Sequence, residues 1–137
     1  MDRRRTMVAL GAVLLPGMAL GHTNTDLVGK RGPNGGQMRA TPTLHLELVA
    51  KADELVLYVY DHDDKVVATR GATGRATLLL GAERSEVRLE PFGTNALRGN
   101  GKWVADPKLR IAISLTLAGG QPHQERFEPF RPVAAKK

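Results

Sequence analysis

Leu109-Arg110-Ile111-Ala112-Ile113-Ser114-Leu115-Thr116-Leu117 is the stretch on which the fold turns. Its five large aliphatic residues occupy every second position, and side chains two apart in an extended chain project to the same face. A helix would scatter them around its axis, so the run reads as a half-buried β-strand, closed by Gly119-Gly120. The same period recurs upstream. Leu44, Leu46, Leu48 and Ala50 alternate with His45, Glu47, Val49 and Lys51, which sends the first set to a core and the second toward solvent. After an Ala52-Asp53 turn, Leu55, Leu57 and Val59 alternate with Val56, Tyr58 and Tyr60, completing a hairpin signal. Further short strands are expected at 66–69, 76–80, 85–90 and near 124–128. The glycine- and asparagine-rich stretch from Gly93 through Asn95 and Gly99 to Gly101 reads as a loop. About seven or eight short strands separated by turns specify an all-β chain, a single antiparallel sandwich or barrel of immunoglobulin-like size.

The remaining segments bound the working protein. A length of 137 residues suits one domain, and 42% hydrophobic residues exclude an unstructured chain. Residues 1–21 carry Arg3, Arg4 and Arg5, an apolar run from Met7 to Leu15, and small residues at Gly17, Ala19 and Gly21. That order of charge, apolar stretch and small residues describes a cleaved signal peptide, too short for a membrane span. The Arg4-Arg5 pair leaves the Sec and twin-arginine routes both open. In a bacterium the destination is the periplasm, with no stable membrane insertion after cleavage. Residues 22–42 are polar and glycine-rich and read as a flexible lead-in, 43–130 as the β-domain, and 131–137 as a basic tail. Cleavage discards three arginines and Asp2, lowering the formal net charge from +6 to +4. The scattered basic residues and few aromatics give no stripe for nucleic acid.

Catalytic chemistry has little to draw on. There is no cysteine, and the two serines, Ser85 and Ser114, lie in alternating strands without a nucleophile elbow. Gly71 to Thr77 has the glycines of a phosphate loop but no lysine and no following helix. Asp61-x-Asp63 starts like a calcium loop, yet Val66 and Ala72 stand where glycine and glutamate are required. No enzyme and no organic cofactor are therefore expected.

Histidine and carboxylate pairs are more informative. His45 and Glu47 share a strand face and address one ion or simply solvent; His62 lies beside Asp61 in an acidic turn, as a ligand or an ordinary turn residue. Cleavage after Gly21 leaves His22 as the first residue, where amine and imidazole chelate together. Cleavage after Ala19 leaves Leu-Gly-His, whose nitrogens make a square-planar set. Without thiolates, such ligands suit Cu(II), Ni(II) or Zn(II).

Several segments also carry a resemblance. They are Gly32-Pro33-Asn34-Gly35-Gly36-Gln37, Leu44-His45-Leu46-Glu47-Leu48-Val49, and Leu55-x-Leu57-Tyr58-Val59-x-Asp61-His62-Asp63-x-Lys65. Gly71-Ala72-x-Gly74-x-Ala76-Thr77-Leu78-Leu79 and Val87-x-Leu89-x-Pro91-x-Gly93-x-Asn95-x-Leu97-x-Gly99 extend it over most of residues 32–118. Together these resemble small periplasmic β-domain proteins associated with heavy-metal efflux, and the front segment of the periplasmic adaptor subunits of such pumps. In that family the position of Asn34 is commonly histidine, so this chain lacks one imidazole, while His45, Glu47 and His62 match. The resemblance implies metal handling or an accessory role beside a pump, and no catalysis.

The expectation is an exported domain that binds a divalent transition metal through His22, His45, Glu47, Asp61 and His62, or that assists a metal-efflux pump component. The alternative is a metal-free interaction module that docks a periplasmic or pump partner through a sheet edge or face.

Overall fold

A computed structural model describes residues 31–132. Its strands are β1 (Gln37–Ala40), β2 (Leu44–Ala50), β3 (Glu54–Asp61), β4 (Thr73–Leu80), β5 (Glu83–Phe92), β6 (Ala96–Asn100), β7 (Arg110–Thr116) and β8 (Pro122–Phe127). Among the described residues there is no helix, and thus none long and apolar enough to cross a membrane. All pairings are antiparallel, in the spatial order β1-β2-β3-β6-β5-β4-β7-β8. Ten residues long, β5 links the two halves: Glu83 to Leu89 pair with β4, and Glu90 to Phe92 pair with β6.

The ends of this order meet in a nearly closed barrel. Register sets Gln37 opposite Leu48 and Arg39 opposite Leu46, so both polar side chains point to the inner side of β1. There they meet β8. Gln37 Nε2 donates to the Glu128 carbonyl at 3.1 Å, the Glu128 N–H donates to Gln37 Oε1 at 2.7 Å, and Arg39 Nε donates to the Arg126 carbonyl at 2.9 Å. These side chains cover backbone groups that an open edge would expose to other chains. Burial, opposed by Glu125 and Glu128, lowers the pKa of the Arg39 guanidinium, which sits 5.6 Å from the Phe127 ring.

Alternation places the core as the sequence requires. Leu109, Ile111, Ile113 and Leu115 are buried with Leu46, Leu48, Leu55, Leu57, Leu89, Leu97 and Phe127. Each such side chain contributes about 1.5–3 kcal/mol of burial.

Three segments differ from the sequence expectation. Residues 66–69 are no strand: Val66 is 58% exposed and makes one isolated bridge to Tyr60. Here the chain crosses toward the second half of the barrel, and Thr69 Oγ1 fastens it by donating to the Ala96 carbonyl at 2.8 Å. Conversely, the stretch read as a loop contains β6, paired on both sides. Its Gly99 marks close approach, since a Cβ there would collide with the Arg88 carbonyl. Within the expected flexible lead-in lies β1, too short to show a period, and ahead of it a fastened turn at 32–36. The expected signal peptide, His22 and the last five residues of the basic tail lie outside the described residues.

Candidate functional site

Register assembles the site on the outer face of β1, β2 and β3. Met38 lies opposite Glu47 and Ala40 opposite His45; Glu47 in turn lies opposite Tyr58, and His45 opposite Tyr60. Opposed residues share a face, so these six stand back to back with Leu46 and Leu48. The face expected for His45 and Glu47 is correct, but Glu47 is not in solvent: it is fully buried. The Gly32 to Gly36 turn folds over it and supplies the missing cover.

Four donors converge on that carboxylate. The backbone N–H groups of Asn34 and Gly36 each donate to Glu47 Oε2 at 2.8 Å, while Asn34 Nδ2 donates to Oε1 at 3.0 Å and the Tyr60 hydroxyl at 3.4 Å. An ionised carboxylate has about four lone-pair sites, so the turn takes up the capacity of Glu47. Close approach requires the glycines. A Cβ on Gly32 would overlap the Glu47 carboxyl carbon, and one on Gly36 would lie 2.5 Å from the Leu48 carbonyl oxygen. The turn closes on itself through Gly35 N–H to the Gly32 carbonyl (2.9 Å) and Gly32 N–H to the Gly36 carbonyl (3.0 Å). Burial first, then the charge and hydrogen bond of Glu47, push the Tyr60 phenol above its ordinary range.

Beside this turn the two predicted histidines meet. Where β3 ends, Asp61 Oδ1 accepts the N–H groups of Asp63 (2.8 Å) and Lys65 (3.0 Å), the arrangement that favours aspartate in turns. The Lys65 N–H foremost, then the Asp63 N–H and the Lys65 and His62 charges, hold the Asp61 carboxyl below the usual carboxylate range. Asp64 adopts a positive φ of 63°, and its Oδ1 lies 3.1 Å from His45 Nδ1. His62 Nε2 donates to the Thr41 carbonyl at 2.9 Å. The rings of His45 and His62 stack with centroids 4.5 Å apart and planes 29° apart.

The structure thus brings His45 and His62 together, with Asp61 fixed in its own turn and Glu47 under another. Asp64 is the neighbour that sequence reasoning passed over; its one signal was membership of the polar turn Asp61-His62-Asp63-Asp64. Among the described residues, no three histidine, aspartate or glutamate side chains are arranged to hold a metal ion. His123 stands apart on β8, opposite Leu115.

No protein-family model matches the sequence, and no curated protein matches it. Among solved structures, the chain is similar to one titled "Crystal structure of Br derivative BhCBM56", with 11% identity and a TM-score of 0.41 over 67% of this chain and 96% of that one.

Proposed function

We propose that this protein is an exported, non-catalytic β-barrel module that takes up a divalent transition ion at His45 and His62 and passes it to a partner. The observation that carries this reading is how the two rings are held. His45 Nδ1–H faces the Asp64 carboxylate, and His62 Nε2–H faces the Thr41 carbonyl. Metal-binding imidazoles characteristically donate their second N–H to such acceptors, which fixes tautomer and orientation. With the stack opened, His45 Nε2 and a ring nitrogen of His62 are the donors this reading assigns to the ion.

Near-parallel rings aim their in-plane lone pairs side by side, so sharing one ion requires the stack to open. Two imidazoles also leave other coordination positions to water, to His22 or to a partner's donor. Both features lower affinity, which suits transfer better than storage. Cu(II), Ni(II) and Zn(II) match the nitrogen and oxygen donors of a chain without cysteine. The resemblance to efflux-associated periplasmic proteins supplies the class of partner, and residues 1–21 supply the route out of the cytoplasm.

Calorimetric titration of the mature protein, its amino terminus fixed by mass spectrometry, tests the proposal. Micromolar binding that weakens at least about tenfold, or 1.4 kcal/mol, in His45→Ala and in His62→Ala supports it. Binding lost only in His22→Ala moves the site to the amino terminus, and no binding of any of the three ions removes the metal reading.

A further inference from the structure

The second half of the barrel presents a different outer face. Register there aligns Arg75 with Ser114 and Gln124, Thr77 with Ala112 and Arg126, and Leu79 with Arg110. These residues stand back to back with the buried Ala76, Leu78, Ile111, Ile113 and Leu115. The result is an open groove of about 800 Å³, with small residues on its floor and arginines along it.

We infer that this groove on β4, β7 and β8 docks an acidic segment of a partner protein, whose carboxylates pair with Arg75, Arg110 and Arg126. Those three exposed guanidinium groups have no ion pair or hydrogen bond among the described residues. Four other arginines have carboxylate partners: Arg84 with Glu86 at 3.3 Å, Arg88 with Glu90 at 3.4 Å, Arg98 with Glu54 at 3.7 Å and Arg131 with Glu128 at 2.8 Å. Glu125 and Glu128 also line the groove, and their charges act on Arg39.

Arg75 carries an added penalty. It lies directly opposite Arg88, and like charges in opposed positions destabilise a sheet. The Arg88 charge is met by Glu90 at 3.4 Å, which leaves Arg75 as the one of the two without a carboxylate partner.

Spacing selects the occupant. From the ladder, the Cα atoms of Arg110 and Arg126 are about 8 Å apart and those of Arg126 and Arg75 about 12 Å, using about 4.8 Å between strands and 3.4 Å per residue. Acidic residues at alternate positions of an extended peptide recur about every 7 Å and 14 Å, within reach of the long arginine forks, which bind carboxylates bidentately. Ser114, Thr77 and Gln124 offer hydrogen bonds to the peptide between them. No aromatic side chain lines the groove to stack on a sugar or a base.

Fluorescence anisotropy with a labelled peptide of alternating glutamate and threonine tests the inference on the mature protein. Its glutamine counterpart, inorganic polyphosphate and vesicles containing phosphatidylglycerol run in parallel. Expected is binding of the acidic peptide that weakens with salt and falls at least tenfold in the Arg75→Gln/Arg126→Gln double variant. The His45→Ala and His62→Ala variants retain peptide binding, and the double variant retains metal binding, so this inference and the metal reading fail separately. Arg75→Thr should melt at or above the wild-type temperature, because it removes a repulsion. Equal binding of the glutamine peptide, equal binding by the double variant, or capture of polyphosphate or vesicles but not peptide overturns the inference. So does self-association abolished by Asp63→Asn/Asp64→Asn, which gives the groove to a second copy.

Discussion

Replacing Glu47 by glutamine isolates the carboxylate that fastens the 32–36 turn. Glutamine keeps the size and one carbonyl oxygen but presents N–H groups where the second oxygen stood. Of the four donors, the N–H groups of Asn34 and Gly36 can keep an acceptor, now neutral; the Tyr60 hydroxyl loses its acceptor, and Asn34 Nδ2 keeps only the Tyr60 oxygen at 3.2 Å. Hydrogen bonds to charged groups contribute about 1.5–3 kcal/mol and neutral ones about 1 kcal/mol, so the retained pair costs roughly 1–2 kcal/mol in total. Orphaned donors cost about 1–3 kcal/mol each when fully buried, but Asn34 is exposed and the hydroxyl rotates, which leaves the lower end of that range. A net loss of about 3 kcal/mol follows. At 4–8 °C per kcal/mol for a domain of this size, thermal denaturation should fall by roughly 12–24 °C.

A second readout separates this mechanism from nonspecific damage. In a Tyr58→Phe background Tyr60 is the remaining tyrosine of the chain, and its ultraviolet titration reports its surroundings directly. Burial raises its pKa above 10.0, and the charge and hydrogen bond of Glu47 add to that shift. Because the folded-state value is raised, the associated stability is present below pH 10 and is lost as pH climbs through the folded value. Glu47→Gln should bring the phenol down toward its ordinary range and make that alkaline loss smaller. A variant that melts within about 1 kcal/mol of wild type, with the phenol titration unmoved, would refute the fastening role.

Other substitutions test neighbouring steps. Gly36→Ala sets a Cβ 2.5 Å from the Leu48 carbonyl and 2.8 Å from Glu47 Cγ, and the carbonyl belongs to a paired strand that cannot easily move. It should cost about 1–3 kcal/mol in urea denaturation; a neutral outcome would show that the turn does not sit against β2. Asp61 is held below its ordinary carboxylate pKa, so its contribution to stability is present above pH 3.8 and disappears as pH falls through the folded value. Asp61→Asn should accordingly flatten the acid side of a stability–pH profile, and an unchanged acid slope would count against the backbone hydrogen bonds as the cause.

Periodicity made the barrel legible wherever one face is apolar, as in the run from Leu109 to Leu117 and the hairpin from Leu44 to Tyr60. It failed where tertiary contacts replaced the pattern. The glycine at 99 lowers local strand propensity, yet the crossing of β5 needs its missing side chain. Val66 to Thr69 has β-branched residues, but the chain is changing sheets there and only tethers remain. The candidate site was half legible for a related reason. Alternation correctly set His45 and Glu47 on one face, but no local signal says that a turn eleven to fifteen residues upstream covers one and leaves the other beside His62. The positive φ that turns Asp64 toward His45 is likewise absent from any periodic pattern.

Read as a candidate ligand in the sequence, Glu47 acts in the structure through the backbone. By holding Asn34 and Gly36 it fixes the chain that enters β1 directly afterward. That strand ends at Ala40, and Thr41 follows in a tight link to β2, with its Oγ1 accepting the Leu44 N–H at 2.9 Å. The Thr41 carbonyl then receives His62 Nε2–H at 2.9 Å. One continuous segment therefore carries the position of a buried carboxylate to the orientation of an imidazole. If His62 binds an ion, Glu47 is a positioning residue for it rather than a ligand. Loosening the turn should weaken metal affinity without removing any donor atom, a consequence that a purely local account of the histidine pair does not contain.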